Sequence, residues 1–162
     1  MKKVIISELL LVFLLALTIG VVLYRKDPRE DISRESVEEL VESLQKGELK
    51  KAGPLEIKRH FSLEGSDYEY ILYYTAQESM DVREFLFVKG EKDVSDTAEK
   101  AMEERLASQM NAFDHYGEKQ MELLNKAVIW QNGPYAFFLV AEDPDAWMKK
   151  INDLLEVSHG IQ

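Results

Sequence analysis

The hydrophobic pattern divides the chain at its N-terminal end. Residues 4–24, VIISELLLVFLLALTIGVVLY, are apolar throughout except for Glu8. A helix of that length crosses a hydrocarbon core of about 30 Å. Beyond a polar stretch holding Pro28, apolar positions return with the periods of a folded domain. Val37, Leu40, Val41 and Leu44 share one helical face, with Ser36 and Glu39 at capping-box spacing and Gly47 at the C-cap. Gly53-Pro54 opens a short helical turn to Phe61, with Pro54 at its first position, and Gly65-Ser66-Asp67 ends it. Residues 68–75, YEYILYYT, read as a strand with apolar residues on both faces, as in a strand covered from both sides. A second strand over 82–89 follows at hairpin distance.

The longest periodic segment is a helix over 94–116. At helical spacing Val94, Ala98, Ala101, Met102, Leu106, Met110, Ala112, Phe113 and Tyr116 fall on one side. Gly117 breaks it and a short helical piece over 119–125 follows. Strands over 127–131 and 135–141 flank Asn132-Gly133, a hairpin signal in which both residues tolerate positive φ, with Pro134 at the start of the second strand. Asp143 caps a last helix that has Pro144 at its first position and buries Trp147, Ile151, Leu154 and Leu155 until His159-Gly160 closes it.

The predicted fold is α+β in the order α-ββα-ββα. It places a mainly antiparallel four-stranded sheet behind an N-terminal transmembrane helix, with the helices packed on one face. The expected organisation is a membrane anchor over 1–26, a linker over 27–33 and a single domain over 34–160. A cleaved signal peptide would want small residues at −3 and −1, for which Thr18 and Gly20 are a poor match, so the segment reads as a retained signal anchor. Lys2 and Lys3 precede the span, and Arg25, Lys26 and Arg29 follow it. The short basic N-tail favours a cytoplasmic N-terminus and a single-pass protein whose C-terminal domain is extracytoplasmic, at the cell membrane.

Charge narrows the partners. The chain has a net charge of −10, and residues 1–26 hold four of its 20 basic and one of its 30 acidic side chains, so the remainder stands at −13. Such a domain is repelled by nucleic-acid phosphates and by anionic lipid, so no nucleic-acid partner is expected. The expected partners are the membrane, through the N-terminal helix, and an envelope protein or ligand. The chain contains no cysteine, which excludes disulfides, thiolate metal sites, a Cys nucleophile and a lipid-modified N-terminal Cys.

Candidate chemistry is sparse. His60, His115 and His159 lack the spacing of a metal site and read as surface residues. Gly117 interrupts the helix that would align His115 with Glu118 and Glu122. There is no phosphate-binding glycine loop, nucleophile-elbow serine or HExxH helix. Glu142-Asp143-Pro144-Asp145 is explained by helix capping, and Glu104 lies with Glu103 on the solvated side of the long helix. No cofactor or metal is implied.

Arg105 and Gln109 differ, because they lie i, i+4 inside the apolar arc of the long helix, in line with Tyr116. A buried guanidinium and a buried amide each need partners. In one reading Arg105 lies on the sheet and pairs with Glu84 while Gln109 satisfies backbone. In the other the pair floors a pocket that recognises a carboxylate or a partner peptide. A small envelope hydrolase would need Glu84, Glu103, Arg105 or a histidine to converge in a cleft. A purely structural domain would form homo-oligomers through an exposed sheet edge.

The stretch AEKAMEERLASQMNAFDHYGEKQMELLNKAVIWQNGPYAFFLVAEDPDA resembles domain-of-unknown-function family 4358. The resemblance rests on Glu103, Arg105, Gln109, Phe113 and Tyr116, then Leu123, Leu124, Ala127 and Val128, then Gly133 and Tyr135. Upstream, YILYYTAQESMDVREFLFVKG is similar to the family's tyrosine-rich strand, Met-containing turn and acidic strand opening, with Glu84 in the acidic place. The resemblance covers residues 55–146. It implies a Gram-positive-type bacterial protein with one small domain behind a signal, lipoprotein or membrane segment, and it carries no activity. The missing cysteine after the apolar block departs from the lipoprotein members and agrees with an uncleaved anchor.

Overall fold

The computed structural model describes residues 32–91 and 94–159. The predicted transmembrane helix over 4–24 and nearly all of the predicted linker lie outside them. Among the described residues no helix is long and apolar enough to cross a membrane. The packing set out below lies within Ile32–Leu155.

The first helix, α1 (Arg34–Gln45), starts a turn earlier than the Ser36–Glu39 box predicts. Ser33 is its N-cap, and Ser33 Oγ accepts from Ser36 N–H at 3.1 Å. With Ser36 in the third helical position, Glu39 falls beyond the reach of a capping box. The helix stops where Lys46 takes the left-handed conformation (φ 50°) and Gly47 follows at φ 80°.

Between α1 and α2 (Pro54–Phe61) runs a strand that hydrophobic patterning does not reveal, β1 (Leu49–Lys51). Three residues, Leu-Lys-Lys, are too few to show a period. They are held by the neighbouring ladder, Leu49 opposite Ala76 and Lys51 opposite Tyr74. The sheet therefore has five strands, not four. In α2, Pro54 occupies the first position as predicted, and Glu56 Oε2 accepts the Gly53 N–H at 2.7 Å.

A short 3₁₀ turn (Gly65–Asp67) leads to β2 (Tyr70–Ala76), and β3 (Glu84–Lys89) returns antiparallel with Tyr70 opposite Lys89 and Thr75 opposite Glu84. Helices α3 (Ser95–Phe113) and α4 (Glu118–Leu124) precede β4 (Val128–Asn132), β5 (Tyr135–Val140) and α5 (Pro144–His159). The strand order is β1-β2-β3-β5-β4, and every pair is antiparallel. In the β4–β5 hairpin Asn132 pairs with Tyr135, so the turn residues are Gly133 and Pro134. Only Gly133 takes positive φ (57°), the pattern of a II′ turn rather than the I′ turn that Asn132-Gly133 predicts. At the start of α5, Asp143 Oδ1 accepts from Ala146 N–H at 3.1 Å, as expected of its N-cap.

The prediction of helices on one face is also corrected. Every residue of β3 and β5 is buried, and all of β2 is buried except the half-buried Thr75. Strands apolar on both faces need cover on both. Helices α1 and α5 cover the face made by Leu72, Phe85, Phe87, Phe137 and Leu139, while α2, α3 and α4 cover Tyr73, Leu86, Val88 and Phe138. The two longest helices are thus on opposite sides of the sheet.

Helix α3 ends at Phe113, short of the predicted Tyr116. Gly117 N–H bonds back to Phe113 O at 3.0 Å, and a Cβ at Gly117 would lie 2.6 Å from the Phe113 ring. Glycine is what permits that close return of the chain.

Candidate functional site

On the face covered by α2 and α3, three elements bring polar side chains into one buried chain of contacts. Glu84 opens β3, and its partner Thr75 and the next same-face residue, Tyr73, lie on β2. Arg105 comes down from α3, whose Ala98 and Ala101 let the helix pack close to the sheet. Arg105 Nε donates to Glu84 Oε1 and Nη2 to Glu84 Oε2, each at 3.0 Å, a bidentate pair. Tyr73 Oη donates to Glu84 Oε2 at 2.5 Å. On the far side of that phenol stands His60 of α2, with Nδ1 2.7 Å from Tyr73 Oη.

The hydrogens of this chain can be assigned. A carboxylate only accepts, and the single phenolic hydrogen goes to Glu84, so His60 must carry its proton on Nδ1 and donate to Tyr73. Tyr73 is fully buried and Glu84 is 1% exposed. Burial first, and then the adjacent Glu84 charge, push the Tyr73 phenol well above its ordinary value, so it remains a donor. Burial opposes the Arg105 charge, but the hydrogen bonds and charge of Glu84 outweigh it and raise the guanidinium further. His60 is lowered, chiefly by burial and next by the charge of Arg105.

Two members of this network, His60 and Arg105, line an open cleft of about 470 Å³ between α2, α3 and the end of β2. The volume is within the usual range for a small-ligand pocket. Arg105, His60 and Gln109 line it, and Lys50 and Arg59 stand at its exposed rim. Gln109 is 7% exposed, and its Oε1 is buried without a hydrogen-bond partner. A second cavity of about 400 Å³ lies between the β2–β3 turn and α4. Several of its polar side chains are already engaged: Arg83 is clamped by Asp81 and Glu48, and Gln120 Nε2 donates to Met80 O at 2.9 Å.

Of the residues that the sequence singles out, Glu84, Arg105 and Gln109 come together here. Glu103 does not, since it lies on the exposed side of α3. Tyr116 does not either: it lies beyond the helix, 70% exposed, with its ring 5.7 Å from that of Phe113. The pairing of Arg105 with Glu84 is as predicted, but Gln109 does not satisfy backbone through its Oε1. Tyr73 and His60 were not anticipated. His60, read from sequence as a surface residue, is half-buried, while His115 is exposed. A signal for His60 was present, because it flanks the Ile57/Phe61 stripe that α2 buries.

The arrangement limits the chemistry. Both Glu84 oxygens accept hydrogen bonds, the residue is 1% exposed, and Arg105 and His60, not Glu84, line the cleft. Of the residues that the hydrolase alternative names, Glu84 and Arg105 come together with His60, and Glu103 stays apart on the exposed side of α3. Among the described residues no group of three or more His, Asp or Glu is placed to hold a metal ion. What the cleft offers is Lys50 and Arg59 at its rim, with Glu78 exposed beside them, and an unsatisfied amide within.

Comparison with curated proteins and with solved structures returned no match. Residues 42–141, from the second half of α1 past the end of β5 and including the whole Tyr73–Glu84–Arg105 network, match the family model described as Domain of unknown function (DUF4358), and the chain belongs to that family.

Proposed function

We propose that this domain is a non-catalytic recognition module, held at the outer face of a cell membrane by residues 4–24, that binds its ligand in the cleft between α2 and α3. The observation that carries the reading is the Gln109 amide oxygen, buried and unpartnered in the wall of an open cleft. A native domain seldom leaves such an atom without a bond, because doing so costs about 1–3 kcal/mol. A ligand that draws the side-chain amide toward the cleft and supplies the missing donor removes that cost. The Glu84–Arg105–Tyr73 network supports the reading by fixing the wall beside Gln109 before any ligand arrives, so that little ordering remains to be done on binding.

The test is a fragment screen by NMR on the ¹⁵N-labelled full chain in detergent micelles, reading shifts at Gln109, His60 and Arg59. Saturable shifts confined to these residues are expected for at least one fragment. A screen in which no fragment perturbs the cleft would refute the recognition role. The membrane placement is tested separately with a topology reporter fused after Gln162, expected to read as extracytoplasmic; a cytoplasmic reading would overturn it.

A second reading, self-association, has one observation in its favour. The sheet edge at β1 carries Lys50 and Lys51, whereas the edge at β4 reads VIWQN with no charge. Charged residues on an edge strand block pairing with another copy, and β4 has none. Light scattering on the full chain and on an Ile129→Lys variant discriminates: a dimer abolished by the substitution supports this reading, and a monomer in both removes it.

A further inference from the structure

We infer that the cleft recognises the carboxylate end of a peptide, a ligand in which an amide group adjoins a carboxylate. The inference rests on the recognition role proposed above and names the chemistry of its ligand. Gln109 presents one acceptor and one donor-bearing nitrogen, and the last residue of a peptide offers an N–H to the one and a carboxylate oxygen to the other. The match holds whichever way round the side-chain amide lies. Its oxygen has no partner among the described residues and is closed off from solvent, so it gains a hydrogen from the ligand when the side chain turns toward the cleft that it lines.

The charge at the rim supplies the other half of the specificity. Among the described residues many basic side chains already have a carboxylate: Arg34 and Lys51 hold Glu38, Arg83 holds Asp81, Lys89 holds Glu69, and Lys126 holds Glu122. Among the described residues Lys50 and Arg59 form no ion pair, and both line the cleft. The Arg105 guanidinium is bound to Glu84 through Nε and Nη2, which leaves Nη1 outside that pair, and its side chain is still 17% exposed. Of the acids that line the cleft, Glu56 is tied to the Gly53 N–H and Asp81 to Arg83, while Glu78 forms no ion pair among the described residues. Two uncommitted cations beside a buried amide fit a carboxylate and its neighbouring peptide group. A plain inorganic anion satisfies the cations and offers little to Gln109, and a neutral amide does the reverse.

The experiment is a titration of the ¹⁵N-labelled full chain in micelles with N-acetylglycylglycine, which has no side chains to add contacts. Its C-terminally amidated form and propanoate are the controls. The Gln109 side-chain amide is identified by its disappearance in Gln109→Leu. The expected result is a saturable shift of that amide with the acid, with binding by the amidated peptide and by propanoate about tenfold weaker or more. Lys50→Ala/Arg59→Ala, a rim variant at exposed positions whose fold is not at stake, should weaken the acid by about tenfold and abolish the preference over the amidated form. No shift up to about 10 mM, or equal binding of the acid and either control, overturns the inference. If the fragment screen finds other ligands in the cleft while the peptide fails, the inference falls and the recognition role stands. If no fragment binds there, the recognition role itself is lost.

Discussion

The two faces of the sheet are built from the same strands and solve different problems. Beneath α1 and α5, Phe85 lies 5.2 Å from Trp147 and 6.4 Å from Phe87 and Phe137 by ring centroids, a continuous aromatic layer. Its buried cation, Lys89, sits at the end of β3 and bridges Glu69 at 2.8 Å. On the opposite face, apolar packing by Leu86, Phe138 and Met102 gives way at one end of the sheet to the His60–Tyr73–Glu84–Arg105 chain. The aromatic layer stabilises by area and contact alone. A buried ion pair does not have that standing, because desolvation can cancel its attraction and an apolar set of equal volume often does as well or better. The polar face is therefore weak evidence for stability, and the recognition role proposed above gives it another purpose, a rigid, charged wall beside Gln109.

The comparison fails first if single truncations on the two faces do not cost alike for their different reasons. Phe85→Ala leaves a cavity among three rings and should cost about 3–5 kcal/mol. Glu84→Ala should cost a similar amount, about 3–5 kcal/mol, because Arg105 remains buried without its carboxylate. Chemical denaturation measures both. The discriminating variant is the triple replacement Tyr73→Phe, Glu84→Met and Arg105→Met, which removes every charge at once. We expect it to fold with stability unchanged or raised by about 1–4 kcal/mol, and to lose ligand binding in the cleft. A triple variant as unstable as Glu84→Ala would make the network a structural keystone and erase the contrast between the faces.

A smaller effect is expected from Tyr73→Phe alone. The phenol is both donor to Glu84 and acceptor from His60, so its loss strips one hydrogen bond from the carboxylate and orphans His60 Nδ1. The expected cost is about 1–3 kcal/mol. A cost near zero would show that Arg105 satisfies Glu84 unaided and that the phenol merely fills space.

The same contrast explains what could be read in the sequence. The helical period placed Arg105 and Gln109 on the inward side of α3, and a lone acidic residue at the mouth of an apolar strand made Glu84 the natural partner. Each inference needed only one element's own periodicity. Tyr73 could not be found that way, because its position beside Glu84 depends on the register of β2 against β3, which no local pattern fixes. Strand β1 was invisible for a related reason, since three residues are ordered by the ladder of β2 and not by their own preference. The doubled layer of helices was half legible. Tyr68–Thr75 is apolar on both faces and needs cover on both, yet the helix order does not say which helix goes where. Tyr116 shows the limit of extending a period past a glycine: the Gly117 return ends the helix at Phe113 and leaves the tyrosine outside.

The finest test of the contrast is its pH dependence, because a titrating group joins the polar chain through His60. Its pKa is lowered from 6.5, first by burial and then by the Arg105 charge, with Arg59 adding to the effect and Glu56 opposing it. Near and below pH 6.5 the unfolded chain then holds more protons at this position than the folded one, so stability rises with pH there. The contribution is fully present above the unfolded value and is lost as pH falls through the lower folded value. Denaturation midpoints measured from neutral pH downward should therefore fall more steeply for the native chain than for His60→Gln. That variant retains an N–H to donate to Tyr73 and has nothing to titrate. His115→Gln, at an exposed position past the end of α3, is the control and should leave the slope as it is. Parallel curves for the native chain and His60→Gln would show that protonation of His60 does not reach the buried chain, and the polar face would then differ from the aromatic one in composition but not in its response to the medium.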